Sequence, residues 1–219
     1  ADKGHLGTSR ALLELAHDPA VLLGARERFN GRTPLHFAAD AGHGDTVREI
    51  LKLAPNKQLV NSAADRCGRY IALHIAAEKG RNAVVRALLE LATDREALLV
   101  MAERVTGQMP LHLAASAGHE EVVATLLEMA PDPVSLLKMQ DKAGGFTPLQ
   151  LCAEKGHKSV ASVLLSAIPA EECSGILSAK LDRWCGFTAM HLAACRGHEA
   201  MVSVLLQFAP DRRAQLGVR

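Results

Sequence analysis

A tetrapeptide recurs along the chain at a nearly constant interval. Thr33-Pro34-Leu35-His36 is followed by Ile71-Ala72-Leu73-His74, Met109-Pro110-Leu111-His112, Thr147-Pro148-Leu149-Gln150 and Thr188-Ala189-Met190-His191. Their third positions are 38, 38, 38 and 41 residues apart, and an insertion of three residues between Pro169 and Leu177 accounts for the last interval. Self-similarity at a fixed period of this size means a stack of like units, none of which can bury its apolar face alone.

Two further signatures keep the same register. The first reads Ala38-Ala39-Asp40-Ala41-Gly42-His43 and returns at 76–81, 114–119, 152–157 and 193–198, with a partial copy at 1–5. The second reads Val47-Arg48-Glu49-Ile50-Leu51 and returns at 85–89, 123–127, 161–165 and 202–206. Each unit therefore predicts a pair of helices. Thr33 suits an N-cap, and Pro34 suits the first helical turn because it lacks an N–H. Leu35, Ala38 and Ala39 share a face, and the alanines allow close backbone approach. Gly42 supplies the left-handed residue that stops the helix. Thr46, Val47, Ile50, Leu51 and Ala54 then form the apolar face of a second helix.

These linked motifs resemble the ankyrin repeat across essentially the whole chain. The resemblance implies an all-α dominated repeat solenoid of stacked helix-turn-helix units joined by finger loops or β-turns. One array is expected over 1–219: a partial repeat at 1–30, then repeats at approximately 31–68, 69–106, 107–144, 145–185 and 186–219. The interior-like pattern at both ends leads us to expect a segment of a longer protein.

The units depart from the 33-residue ankyrin period by about five extra residues after the second helix. These begin with Asp18-Pro19, Asn56, Asp94 and Asp132-Pro133. Asp followed by Pro is a helix-start signal, so an extra helical turn or two is expected. Leu22, Val60, Leu98, Leu136 and Leu177 should tuck against the stack. The acidic residue that usually sits three before the finger glycine is also displaced by one, to Glu27, Asp65, Glu103, Asp141 and Asp182. An altered finger turn follows from that shift.

Composition narrows the function. The chain has 219 residues, with 25 basic against 24 acidic side chains and a formal charge of +1. A dedicated nucleic-acid binder would show a clear cationic excess, so no nucleic-acid partner is expected. No apolar run reaches the length of a membrane span, so no insertion is expected. Five cysteines with no CxxC pair suit a reducing, intracellular setting, cytoplasmic or nuclear.

The ten histidines raise the question of a metal. His36, His74, His112 and His191 belong to the tetrapeptide; His5, His43, His119, His157 and His198 belong to the loop signature. Groups one repeat apart stand about 8–10 Å from each other, too far to share an ion. The ankyrin resemblance implies instead that the imidazoles bridge backbone groups of adjacent repeats. Cys152 replaces the residue equivalent to Ala38, and so reads as a small core residue. No phosphate-binding glycine loop, HExxH or GxSxG occurs. No catalytic residue, cofactor, metal or small-molecule substrate is expected.

The fingers carry the functional signal. Directly after the acidic column comes a basic one: Arg28, Arg66, Arg104, Lys142 and Arg183. It can pair with the acidic column or face a partner. Aromatics are only 3% of the chain, yet five of the seven lie in fingers: Phe29, Tyr70, Phe146, Trp184 and Phe187. Exposed aromatics beside arginine are the material of protein-binding hot spots. The resemblance implies a partner surface from finger positions, here also Arg32 and Gln108, and from the residues before the loop glycine. The latter include Asp40, Glu78, Lys79, Glu154, Lys155 and Arg196. The expected function is non-catalytic binding of another protein, or of another part of the same parent chain. The alternative is a regulatory or substrate-docking domain of a larger enzyme, channel or effector.

Overall fold

A computed structural model describes Gly7 and residues 19–61, 63–181 and 186–209, with Pro19, Leu59 and Val60 described in backbone only. Within these residues, helices follow one another in threes. After α1 (Pro19–Gly24) come α2 (Pro34–Ala41), α3 (Gly44–Leu53) and α4 (Lys57–Asn61). The next unit is α5 (Ala72–Glu78), α6 (Asn82–Glu90) and α7 (Arg95–Val100). Then come α8 (Pro110–Ala117), α9 (Glu120–Glu128) and α10 (Pro133–Lys138). The fourth is α11 (Pro148–Lys155), α12 (Lys158–Ser166) and α13 (Ala170–Ser178), and α14 (Ala189–Cys195) and α15 (Glu199–Phe208) close the series. Each first helix packs on the first helix of the next unit, and each second helix on the next second helix. This is the helical solenoid that the repeat predicts.

The residues explain the layers. Leu35, Ala38 and Ala39 of α2 are buried, as are Thr46, Val47, Ile50 and Leu51 of α3. Their equivalents in later units join them in one continuous core. The alanines put first-helix backbones close together, and the branched and leucine side chains of the second helices fill the wider layer behind. Gly42 adopts φ 83° and ends α2 as expected.

The extra residues of each unit form a short third helix. Asp94 and Asp132 cap α7 and α10 by accepting from the N–H groups of Ala97 at 2.9 Å and Ser135 at 3.0 Å. The three inserted residues lengthen α13 to 9 residues, against 6 for α7 and α10. Leu98, Leu136 and Leu177 are buried as expected. Leu22 is a correction: it is 38% exposed, and the adjacent Leu23, 3% exposed, takes the core position. In α7 and α10 both members of the leucine pair are buried, whereas α1 buries only the one that faces α2 and the next finger. The side chain of Val60 lies outside the described residues.

Candidate functional site

The site is built on fingers whose shape comes from the acidic column. In the first finger Glu27 donates its N–H to the carbonyl of Arg32 at 2.9 Å; Asp65 does the same to Tyr70, Glu103 to Gln108 and Asp141 to Phe146. The acidic side chain then fills the turn so formed. Asp141 Oδ1 accepts from the N–H groups of Gly144, Gly145 and Phe146, each at 3.0 Å. Asp65 Oδ1 accepts from Gly68 and Tyr70 at 3.0 Å. Glu103 accepts from the N–H groups of Val105, Thr106 and Gln108 and from the Thr106 hydroxyl. Glu27 accepts from Phe29 at 2.7 Å and from Asn30. Burial alone would raise the Glu103 carboxyl. The Thr106 hydroxyl and the backbone donors outweigh it and hold the group below the usual carboxylate range. The displaced acidic residue thus makes a different finger turn, wrapped around its own carboxylate.

Adjacent fingers are stitched by backbone. The N–H of Arg66 reaches the carbonyl of Asn30, that of Arg104 the carbonyl of Gly68, and that of Lys142 the carbonyl of Thr106, each at 2.8 Å. The basic column is therefore fixed at the junction of successive fingers. The side-chain stems of Arg66 and Lys142 lie over the preceding finger glycine. A Cβ on Gly31 (φ 67°) would fall inside the stem of Arg66, and one on Gly107 (φ 71°) would stand 2.5 Å from Lys142 Cγ. In the second finger the left-handed position is occupied by Arg69, at φ 58°.

The carboxylates of Glu27, Asp65 and Glu103 are spent on the N–H groups of their own turns rather than on the arginines beside them. Among the described residues, the guanidinium groups of Arg28, Arg66 and Arg104 join no ion pair, and all three residues are exposed. Lys142 is exposed as well. Beside them at the turn apex stand Phe29, 88% exposed, and Val105, 74% exposed.

The aromatic row divides. Tyr70, Phe146 and Phe187 are half-buried. Tyr70 leans on His74 with ring centroids 5.5 Å apart, and Phe187 stacks on His191 at 5.7 Å. Burial pushes the Tyr70 phenol up to about 12. Phe29 stands apart from this set. Arg183 and Trp184 lie outside the described residues, as do Asp182 and Cys185. Sequence reasoning missed Val105, although its place beside Arg104, equivalent to Phe29 beside Arg28, was the available signal.

The remaining candidates flank the first helices or lie near their C-terminal ends. Arg32 pairs with Asp40 at 3.1 Å, and Arg196, at the C-cap of α14, reaches Glu154 of α11 at 2.7 Å. Gln108 donates to Asp141 Oδ2 at 3.2 Å. Glu78, Lys79 and Lys155 are exposed.

Below the fingers the histidines bridge repeats. His36 Nδ1 accepts from the N–H of Thr33 at 3.1 Å, and its Nε2 donates to the carbonyl of Tyr70 at 2.8 Å. His74 accepts from Ile71 and donates to the Met101 carbonyl; His112 accepts from Met109 and donates to the carbonyls of Met139 and Phe146. Gln150 makes the same pair of bonds with Oε1 and Nε2, to Thr147 and Ala179. The glutamine, which has one accepting and one donating end, reports the neutral Nε2–H form for the histidines it replaces. Burial holds the imidazoles below their ordinary range, and His74 falls to about 4. The loop histidines act alike: His119, His157 and His198 reach the carbonyls of Glu78, Ser116 and Glu154 at 2.9–3.0 Å. Arg81 makes that bond to Asp40. No group of His, Cys, Asp and Glu among the described residues could hold a metal ion. Cys152 is a buried core residue whose thiol burial pushes up, and Cys67 and Cys195 are exposed.

The comparison with family models agrees with this architecture. Three copies of a model of ankyrin repeats match residues 1–97, 50–136 and 93–174, and a single-repeat model matches 185–215. The chain belongs to the ankyrin-repeat family. Ankyrin repeats are generally protein–protein interaction modules and are typically non-catalytic. No curated protein matches the chain. No helix among the described residues is long and apolar enough to cross a membrane.

Proposed function

We propose that the chain binds a partner protein through the fingertip row and residues near the C-terminal ends of the first helices, with no chemistry of its own. It acts as one continuous array of the repeats set out above. The observation that carries this reading is the pair of exposed apolar side chains, Phe29 and Val105, each beside an exposed arginine on a hydrogen-bonded turn. Folding gives no reason for a large apolar group at such an apex. A hot spot does, because rigid presentation lowers the ordering cost of association. Glu78, Lys79 and Lys155 supply a polar rim.

The test is a pull-down from cell extract read by mass spectrometry, with wild type against Phe29→Ser/Val105→Ser. Both sites are exposed, so helical circular dichroism should be unchanged. The expected result is a protein retained by wild type and lost by the variant. Identical retention by both would reject the fingertips as the binding surface.

A further inference from the structure

The chemistry of the fingertips narrows the partner further, an inference that rests on the fingertip reading above. Three features combine there. The guanidinium groups of Arg28, Arg66 and Arg104 join no ion pair among the described residues. The carboxylates next to them in sequence point into the turns, bonded to backbone N–H groups. Backbone bonds between fingers and the seat over Gly31 fix where the cations emerge. The basic column therefore presents one cation per finger at the pitch of the repeats, with Arg66 and Arg104 anchored by backbone to the finger before.

That pitch selects a ligand geometry. Stacked helices stand about 8–10 Å apart. A polyproline-type segment has three residues per turn and rises about 3.1 Å per residue, so every third side chain returns to the same face after about 9.3 Å. A β-strand returns to one face after about 6.8 Å or 13.6 Å, and neither distance matches. A helix, about 10–12 Å across with its side chains, needs a groove for its apolar stripe. The fingertips offer only single apolar groups between charges. A nucleic-acid strand carries a phosphate about every 3.4 Å, far denser than the cations, and it would also bring phosphates near the acidic column.

We infer that the fingertip row takes an acidic protein segment in an extended, polyproline-like conformation with a carboxylate at every third residue. Arg28, Arg66 and Arg104 each take one carboxylate, and Phe29 and Val105 cover the apolar residues between.

The experiment is fluorescence anisotropy with a labelled peptide of Glu-Pro-Ala repeated four times. Controls are a peptide of identical composition with its glutamates at alternate positions, a heptad-spaced acidic helical peptide and an oligothymidylate of similar length. The every-third peptide should bind at least about tenfold more tightly than any control, a difference of about 1.4 kcal/mol. Arg28→Gln/Arg66→Gln/Arg104→Gln should weaken it by at least about tenfold, with circular dichroism unchanged. Equal binding of the alternate-position peptide, tighter binding of the helical peptide or oligonucleotide, or indifference to the triple variant overturns the inference. Failure of the every-third peptide to bind also overturns it. The fingertip reading itself stands or falls on the Phe29/Val105 pull-down, so the two failures are told apart.

Discussion

The base of each finger and its tip lie in the same repeat, yet they treat polar groups in opposite ways. At the base, His36, His74 and His112 are buried and both ring nitrogens are bonded. At the tip, arginines of the basic column extend into solvent with no ion-pair partner among the described residues. The base holds repeat to repeat, and its chemistry recurs with little variation. The tip varies in everything except its cation: Phe29, Cys67, Val105 and Ala143 follow the basic residue in turn. Regular polar chemistry here marks adhesion within the stack, and a constant charge with a changing neighbour marks a surface turned outward.

The sharpest way to break this contrast is His74→Ala. It leaves a cavity and strands the Ile71 N–H and the Met101 carbonyl, so a loss of about 3–4 kcal/mol is expected in urea unfolding. A loss below about 1 kcal/mol would remove the base from its structural role.

Acid should act on the same junctions. The unfolded imidazole takes its proton near 6.5, whereas folded His74 resists protonation until about 4. Between those values the unfolded chain binds more protons, so stability falls as pH falls and is regained as pH rises. His74 alone contributes roughly 3 kcal/mol across that window. His74→Gln, copying the bonds of Gln150, should flatten the dependence in denaturant titrations between pH 7 and pH 4 (about one His-worth of slope).

A smaller effect is expected at Arg69, which holds φ 58° without being glycine. Arg69→Gly should raise stability by about 1 kcal/mol, read as a higher Tm, because left-handed backbone costs an L-residue about that much. Smallest of all are the fingertip cations. Arg28→Gln, Arg66→Gln and Arg104→Gln should each change stability by less than about 0.5 kcal/mol. A larger loss would show that the tips also hold the fold together.

Much of the base was legible in the sequence. The tetrapeptide, the Ala-Ala pair and the loop glycine place α2, α5, α8, α11 and α14, because capping and close packing are local demands. Asp94 and Asp132 signalled the third helices for the same reason. Leu22 and Leu23 could not be ranked, since which of two adjacent leucines is covered depends on the neighbouring helices. The fate of the acidic column was also hidden. Glu27, Asp65, Glu103 and Asp141 could pair with the cation beside them or turn inward, and only the finger's N–H groups, gathered by folding, decide between the two. Whether Tyr70 faces outward or packs inward was open from the sequence, because its contact with His74 is a tertiary fact.

Gln150 makes the junctions of the array unequal. Its side chain has no proton to gain in the range where His36, His74 and His112 do, so the α11–α13 seam keeps both bonds while the seams before it weaken. Repeats coupled only to their neighbours open seam by seam. Mild acid would therefore loosen the junctions held by His36, His74 and His112 before the Gln150 bonds, so that the stack yields unevenly along its length rather than at every tetrapeptide alike.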